Sequence, residues 1–98
     1  MPQLICIDPA EQAINVTFEL GETSSLGRDP KSAVLIDDPR VSRRHAMIRR
    51  LPDGFWYFDL GSSNRSYIND RLVGSGQLLQ DGDLLKIGDH ELRFFGGM

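Results

Sequence analysis

Hydrophobic residues recur at every second position in two stretches of the chain, one towards each end. In residues 14–20, Ile, Val, Phe and Leu alternate with Asn, Thr and Glu, and in residues 91–94, Leu92 and Phe94 alternate with charged residues. Successive side chains of a β-strand point to opposite faces, so a hydrophobic residue at every second position indicates a strand with one buried face and one solvent-exposed face. Both stretches are therefore predicted to be β-strands with one face in a core.

Three other short runs are apolar with little interruption, namely Gln3–Ile7, Phe55–Phe58 and Leu84–Ile87. Runs of this length that are rich in Ile and aromatic residues are typical of strands buried on both faces. We therefore expect these strands to lie in the interior, with Trp56 and its neighbours in the core rather than lining a ligand site.

Turn-forming residues punctuate the whole chain. Pairs and triplets of Gly, Pro, Asp, Asn and Ser separate the apolar runs at roughly ten places, each of which favours a turn. Pro52-Asp53-Gly54 lies between two apolar runs and is the clearest hairpin signal. So many turns leave little room for helices, and they predict an all-β sandwich or barrel of many short strands.

One stretch, residues 41–51, contains neither Gly nor Pro and departs from this pattern. Several of its apolar residues would share one face of a helix, but the polar Arg44 and His45 interrupt that face. We interpret the stretch as a loop that runs into a strand beginning near His45.

The composition is that of an ordinary globular domain. The chain has 98 residues, of which 40% are hydrophobic and 26% are charged, a size that favours one domain with a single core. We therefore expect one domain over residues 1–98, with residues 96–98 a linker or a chain end. The lone cysteine, Cys6, cannot form an internal disulfide and suits a reducing compartment. No apolar run approaches the roughly 20 residues that span a bilayer, so we expect a cytoplasmic protein with no membrane partner.

Charge argues against a nucleic-acid partner. The net charge is −3, so the chain has no overall positive field. A local basic run is made up of Arg40, Arg43, Arg44, Arg49 and Arg50. On a strand, Arg49 and Arg50 would point to opposite faces, and no exposed aromatic residues are interleaved for base stacking. No nucleic-acid partner is therefore expected.

Enzymatic and metal chemistry are not indicated either. The chain has neither a Gly-x-Ser-x-Gly elbow nor a Gly-x-x-x-x-Gly-Lys loop. Cys6 lies in an apolar run, where a thiol is usually inert. The chain has only two histidines, His45 and His90, which makes a metal site improbable. We predict no catalytic residue, no cofactor and no metal.

Polar residues cluster in three segments outside the apolar runs, residues 26–30, 38–46 and 59–70. Arginine offers a planar fork of donors to a phosphate, and serine hydroxyls and loop N–H groups add further donors. An asparagine can donate and accept at once, which suits gripping a peptide backbone. Loops on a rigid β scaffold commonly carry such groups, so the three segments are candidates for a phosphate-binding site.

In order and spacing, these segments resemble the forkhead-associated (FHA) family over almost the entire chain. The resemblance runs through Gly27-Arg28, Ser42-Arg43-Arg44-His45, Ser63-Asn64, Tyr67-Ile68-Asn69 and the stretch from Leu79 to Gly88. It implies an eleven-stranded β-sandwich, of the type shared by FHA and SMAD domains, whose loops at one end bind phosphothreonine peptides. The partner would be a phosphothreonine-containing protein, and we expect the isolated domain to be a monomer.

The resemblance also implies roles for individual residues. Arg28, Ser42 and Ser63 match residues that contact the phosphate. Asn64 matches a residue that hydrogen-bonds the peptide backbone, and Arg43 stands where family members often make a further peptide contact. The supporting positions are matched by Gly27, which lets the chain turn ahead of the arginine, by His45, which braces the binding loops, and by Asn69.

The chain departs from the family where Asn64-Arg65-Ser66 replaces the usual Asn-Gly-Thr. Glycine there permits a backbone conformation that a side chain resists. Two outcomes are open: the Asn64 side chain is displaced and binding weakens, or Arg65 adds a cation at the rim and favours acidic residues in the partner. The first outcome motivates an alternative function, a structural or dimerisation domain whose interactions ignore phosphorylation.

Overall fold

The computed structural model describes residues 3–7, 16–88 and 90–96, and these residues form eleven β-strands in two sheets. The strands are β1 (Gln3–Ile7), β2 (Val16–Glu19), β3 (Thr23–Gly27), β4 (Val34–Leu35), β5 (Ala46–Leu51), β6 (Gly54–Asp59), β7 (Ser66–Ile68), β8 (Arg71–Leu72), β9 (Gln77–Leu78), β10 (Leu84–Ile87) and β11 (His90–Phe95). The prediction of an all-β, eleven-stranded sandwich is confirmed. The described ranges contain no helix of the length and apolarity that would cross a membrane.

The two sheets differ in strand order and direction. The six-stranded sheet runs β2-β1-β11-β10-β7-β8 and is antiparallel throughout. The five-stranded sheet runs β4-β3-β5-β6-β9, and in it only β3 and β4 pair in parallel. Because β1 pairs with β11 from Gln3↔Phe95 to Ile7↔Glu91, the first and last strands lie side by side.

The core lies between the two sheets and is built from alternate residues of their strands. Leu92 and Phe94 of β11 are buried, so the alternation predicted near the end of the chain is confirmed. The strand predicted in residues 14–20 is formed by Val16–Glu19, while residues 14 and 15 lie outside the described ranges. In β1, Leu4 is fully buried, and the side chains that follow it in this strand lie outside the described part.

The expectation of burial on both faces is wrong for β6 and β10. In β6, Tyr57 is fully buried, but Phe55, Trp56 and Phe58 are only half-buried. In β10, Lys86 is exposed between two buried residues. A two-layer sandwich leaves the outer face of each sheet in water, and a continuous apolar run does not reveal this. Trp56 stacks on Phe58 with ring centroids 6.4 Å apart, which covers part of that outer face.

Two local predictions about β5 are confirmed. The hairpin predicted at Pro52-Asp53-Gly54 joins β5 to β6, whose pairing runs from Ala46↔Asp59 to Leu51↔Gly54. The stretch from residue 41 is a loop until β5 begins at Ala46.

The last described residue, Gly96, still contacts the fold, since its N–H donates to a carboxylate oxygen of Asp81 at 2.8 Å. Gly97 and Met98, the rest of the predicted linker, lie outside the described residues. The linker and the single-domain organisation therefore remain predictions.

Strand pairing brings three loops to one end of the sandwich. Leu26 pairs with Ala46, and Ala46 pairs with Asp59, so the end of β3, the start of β5 and the end of β6 lie in one row. The loops at this row are the β3–β4 loop (28–33), the β4–β5 loop (36–45) and the β6–β7 loop (60–65). They contain most of the polar residues that the sequence marks as candidates.

Candidate binding site at the loop end of the sandwich

Gly27 allows the β3–β4 and β4–β5 loops to approach each other closely. Beyond it, the N–H of Arg28 donates to the carbonyl of Ser42 at 3.1 Å, and the N–H of Asp29 donates to the carbonyl of Arg43 at 3.2 Å. A Cβ atom on Gly27 would lie 2.2 Å from that same Arg43 oxygen. The predicted reason for this glycine, a turn ahead of the arginine, is therefore corrected: the position requires glycine because two backbones touch there.

Successive carbonyl groups of the β4–β5 loop hold the side chains of Arg28 and Asn64. The amide nitrogen of Asn64 donates to the carbonyl of Arg40. The Nε of Arg28 donates to the carbonyl of the next residue, Val41, at 3.1 Å. The carbonyl of Ser42 accepts from the backbone N–H of Arg28, so three successive carbonyl groups accept hydrogen bonds from Arg28 or Asn64. We call residues 40–42 the carbonyl row. One short backbone segment thus orients both of these side chains.

These contacts leave the functional ends of Arg28 and Asn64 available. Both side chains are exposed. Within the described ranges, the terminal nitrogens of Arg28 and the side-chain oxygen of Asn64 have no hydrogen-bond partner. A guanidinium fixed at Nε still presents its two outer NH₂ groups to an anion, and a fixed amide oxygen can accept a hydrogen bond from a peptide N–H.

Asp38 anchors the carbonyl row. Its carboxylate accepts hydrogen bonds from the backbone N–H, Nε and Nη2 of Arg40 at 2.8, 3.1 and 2.9 Å, and from Nε2 of His90 at 2.9 Å. Its carbonyl also accepts from the N–H of Val41 at 2.9 Å. The side-chain and then the backbone hydrogen bonds from Arg40 hold the pKa of Asp38 well below its ordinary value, with His90 adding to them against the opposing effect of burial.

This role of Asp38 is not visible in the sequence, where the residue has only the pattern of a turn aspartate. His90 is the first residue of β11. Its contact with Asp38 links the six-stranded sheet to the β4–β5 loop across 52 residues of sequence.

The hydroxyl of Ser42 connects the β4–β5 loop to the β6–β7 loop. Its oxygen accepts a hydrogen bond from the N–H of Ser63 at 3.0 Å. A serine hydroxyl has two acceptor sites and one donor, so the proton of Ser42 stays available to a ligand. Ser63 is exposed directly beside it, and two hydroxyl groups therefore lie at the junction of the two loops.

The buried side chain of His45 connects the same two loops. Its ring is fully buried; Nδ1 accepts from the N–H of Ser42 at 3.1 Å, and Nε2 contacts the carbonyl of Arg65 at 2.8 Å. A backbone N–H can only donate and a carbonyl can only accept, so the ring is the neutral form with its proton on Nε2. His45 thus satisfies two backbone groups in different loops.

Arg65 has the backbone conformation for which glycine is usual. Its φ is 64°, in the left-handed region, where a side chain costs about 1–2 kcal/mol. The loop keeps this path although residue 65 is not glycine, and Asn64 remains bound to the carbonyl row. The Arg65 side chain is exposed at the rim.

A network centred on Asp59 holds the β6–β7 loop. One carboxylate oxygen accepts from the hydroxyl of Ser62 and from that of Ser66, the latter at 2.7 Å, and the other accepts from the N–H groups of Gly61 and Ser62 at 3.0 Å. The buried hydroxyl of Tyr57 donates to Ser66 at 2.6 Å. Burial alone would raise the pKa of Asp59, but the hydrogen bonds from Ser62 and Ser66 outweigh it and lower the pKa.

Asp59, Ser62 and Ser66 were not singled out by sequence reasoning. The only signal was their membership of one polar segment. The strand-end carboxylate accepts three hydrogen bonds from the loop that follows it and a fourth from Ser66, the first residue of β7, so it fixes the shape of that loop.

Two of the predicted residues lie at the margins of this arrangement. Arg43 is exposed, and its Nη2 lies 3.9 Å from a carboxylate oxygen of Asp29. Asn69 lies in the β7–β8 turn with a φ of 52°. It donates to Asp83 at 2.9 Å and accepts from the N–H of Leu84 at 3.0 Å, so it fastens this turn to the start of β10.

The structure thus brings Arg28, Ser42, Ser63 and Asn64 together and joins them through hydrogen bonds between neighbouring loops. The groups they expose are guanidinium donors, hydroxyl donors and one amide acceptor, which suits an anion attached to a peptide. In the part of the chain that the structure describes, no three His, Cys, Asp or Glu side chains are grouped to hold a metal ion.

Comparison with known proteins agrees with this interpretation of the site. Residues 24–88 match the family model described as the FHA domain. The chain is 42% identical over 76 residues to the oxoglutarate dehydrogenase inhibitor of Corynebacterium jeikeium, and the aligned region covers 78% of this chain and 52% of that protein. It is 43% identical over 75 residues to the glycogen accumulation regulator GarA of Mycolicibacterium smegmatis, and the aligned region covers 76% of this chain and 47% of GarA. The chain spans about half the length of these curated relatives.

Solved structures agree in fold. EmbR of Mycobacterium tuberculosis, in complex with a low affinity phosphopeptide, matches with a TM-score of 0.84 at 28% identity, over 96% of this chain and 24% of that one. The FHA domain of FhaA, complexed with the intracellular domain of Rv3910, matches with a TM-score of 0.83 at 28% identity, over 96% and 99%.

Proposed function

The chain belongs to the forkhead-associated family, and on that premise we propose that it is a non-catalytic module that binds phosphothreonine-containing segments of partner proteins. Such a module acts in signalling, because it joins two proteins only after a kinase has modified one of them. We place it in the cytoplasm, in keeping with its single cysteine.

The carbonyl row is the observation that carries this proposal. It holds Arg28 by Nε and Asn64 by its amide nitrogen, so a cation for the phosphate and an acceptor for the peptide backbone are oriented before a ligand arrives. A site that is already ordered loses little conformational entropy on binding.

Each group has a distinct part in the proposed complex. The outer NH₂ groups of Arg28 bind phosphate oxygens in a fork, and the hydroxyls of Ser42 and Ser63 donate to the remaining oxygens. The side-chain oxygen of Asn64 accepts from a backbone N–H of the peptide next to the phosphothreonine. Arg43, at the margin, makes a further contact with the peptide. The binding is charge-assisted, so its affinity falls as salt is added.

The relatives support this assignment. EmbR is a structural neighbour that was solved with a phosphopeptide, and two of the curated relatives are named as an inhibitor and a regulator rather than as enzymes. Inhibition of oxoglutarate dehydrogenase and regulation of glycogen accumulation are the roles that the names of those two proteins state, and they are not transferred to this chain.

Replacement of Arg28 tests the proposal. Arg28→Ala removes a bidentate, charge-assisted contact, so we expect the affinity for a phosphothreonine peptide to fall about 100-fold or more. Fluorescence anisotropy measures it, with unphosphorylated and phosphoserine peptides alongside. Arg50→Ala is the matched control, because Arg50 is an exposed arginine of β5 whose only described ion pair is a 4.0 Å contact with Glu22.

Full binding by Arg28→Ala, or equal binding of the unphosphorylated peptide, would contradict the proposal. The alternative, a structural or dimerisation domain, stays a prediction with its own test. Sedimentation at several concentrations would support it by showing a dimer that ignores phosphopeptide, whereas a monomer would argue against it.

A further inference from the structure

A hollow of about 310 Å³ lies on one side of the proposed phosphate site. Its lining includes Asp29, Lys31, Arg43, Arg44, Met47 and Leu60. Two of these residues adjoin the site directly, since Asp29 follows Arg28 and Arg43 follows Ser42. A peptide whose phosphothreonine is bound by Arg28 and Ser42 therefore has this hollow within reach of its neighbouring residues.

The hollow is positively charged. It has three cations, Lys31, Arg43 and Arg44, and one carboxylate, Asp29. In the described ranges, Lys31 and Arg44 have no ion pair, and Arg43 is 3.9 Å from Asp29, which is too long for a hydrogen bond. The pKa of Asp29 is lowered, first by the N–H of Lys31 and then, against some desolvation, by the charges of Arg43, Lys31 and Arg44. The fields of all three cations therefore overlap here.

The same hollow has an apolar side. Leu60 is 47% exposed, although its N–H is fixed by a 3.0 Å hydrogen bond to the carbonyl of His45. Met47 is half-buried and lines the same hollow. An exposed leucine in the same lining as cations without an ion pair offers contacts to an aliphatic side chain that is adjacent to an acidic one.

A second hollow, which has Asn64 of the proposed site in its lining, lacks this charge. Its volume is about 420 Å³, and it is lined by Asn64, Tyr67, Asp70, Lys86 and Gly88. Its lining therefore contains one cationic and one anionic side chain. The two hollows next to the proposed site thus differ, with a net charge of about +2 in the first and none in the second.

We propose that the cationic hollow around Lys31, Arg44 and Leu60 is a specificity subsite for the partner, which takes an Asp or Glu side chain close to the phosphothreonine, with an aliphatic neighbour on Leu60. This inference rests on the proposed function and names the class of partner segment that the site selects. The neutral hollow does not contribute to that selection.

Pairs of phosphothreonine peptides test the subsite. In each pair, one peptide carries Asp and Glu beside the phosphothreonine, and the other carries Asn and Gln at the same positions. One pair has these residues before the phosphothreonine, and a second pair has them after it. We expect the wild-type protein to bind the acidic peptide of one placement roughly 5-fold more tightly at low salt. Anisotropy titrations give the ratio.

Charge-reversal variants locate the effect. Lys31→Glu and Arg44→Glu should each abolish or invert the preference, which is the ratio of the two peptide affinities. The Asn and Gln peptide still carries the phosphate, so its affinity falls as well, but by less than that of the Asp and Glu peptide. Lys86→Glu, in the neutral hollow, is the matched control and should leave the preference unchanged. An equal effect of Lys86→Glu, or no preference in the wild-type protein at either placement, would overturn the subsite while leaving the proposed function intact. If the wild-type protein binds neither peptide, both proposals fall.

Discussion

The Nε2 proton of His45 is donated to the carbonyl of Arg65 at 2.8 Å, and Arg65 is the residue of the β6–β7 loop with a φ of 64°. The hydrogen bond fixes the carbonyl of a residue whose own conformation is unfavourable. Conformational strain at Arg65 is thus offset by a buried side chain from another loop. The loop path that presents Ser63 and Asn64 therefore depends on His45 as well as on residue 65.

Replacing Arg65 by glycine should stabilise the protein. Glycine removes the cost of about 1–2 kcal/mol for a left-handed side chain, and part of this gain is offset by the greater freedom of glycine in the unfolded chain. We expect the free energy of unfolding to rise by about 0.5–1 kcal/mol, as measured by urea denaturation.

Arg65→Ala is the control for this prediction. It removes the charge but keeps a Cβ at a φ of 64°, so the stability should change by less than about 0.5 kcal/mol. Equal stabilisation by alanine and glycine would show that the charge of Arg65, rather than its backbone strain, is the cause.

Replacing His45 by phenylalanine should destabilise the protein by about 2–4 kcal/mol. The ring volume is roughly kept, but the N–H of Ser42 and the carbonyl of Arg65 both lose their partner. Tyr57→Phe is a milder buried change, because Ser66 still donates to Asp59 without the Tyr57 hydroxyl; we expect a cost of about 1 kcal/mol. Urea denaturation compares the two, and an equal cost would contradict the bridging role of His45.

Gly27→Ala should be strongly destabilising. The new Cβ would lie 2.2 Å from the carbonyl oxygen of Arg43, so the two loops must separate, at a cost of about 3 kcal/mol or more. Gly21→Ala is a matched control, since a Cβ there meets nothing within 4 Å, and it should be neutral or slightly stabilising. Thermal denaturation distinguishes the two variants. A Gly27→Ala protein as stable as Gly21→Ala would show that the loops do not approach each other in this way.

Acid should weaken the fold in part through Asp38. Its pKa is lower in the folded protein than in the unfolded chain, so the folded state favours the ionised form. This contribution is complete above the unfolded pKa of about 4 and is lost as the pH falls from there towards the folded pKa.

Asp38→Asn isolates this contribution, because it keeps the side-chain shape but cannot titrate. Urea denaturation at a series of pH values from 7 to 3 should show a constant stability difference between wild type and variant at neutral pH that shrinks below about pH 4. A difference that stays constant to the lowest pH would exclude Asp38 as the titrating group.

The strands and turns that depend on local sequence could be predicted. The alternation around Leu92 and Phe94, the Pro52-Asp53-Gly54 hairpin and the start of β5 all follow from side-chain period and turn chemistry over a few residues. Burial on both faces of Phe55–Phe58 could not be judged in this way, because an apolar run does not say whether a second layer covers each side.

Contacts between distant segments were beyond local patterns. The Gly27–Arg43 approach depends on two loops that meet in space, and Asp38 reaches His90 across 52 residues. The family resemblance placed Arg28, Ser42, Ser63 and Asn64 in one site, and the structure brings them together. It carried no information about the backbone carbonyls that orient Arg28 and Asn64, since a carbonyl has no sequence signature.

The most direct test of the central claim is an amide NMR titration of the protein with a phosphothreonine peptide and with the same peptide unphosphorylated. The proposed site predicts that the phosphorylated peptide shifts backbone signals in the β3–β4, β4–β5 and β6–β7 loops, most strongly around Arg28, Ser42 and Ser63, and that the side-chain amide of Asn64 shifts with them. Shifts that are the same for both peptides, or that fall on strands away from these loops, would contradict the claim.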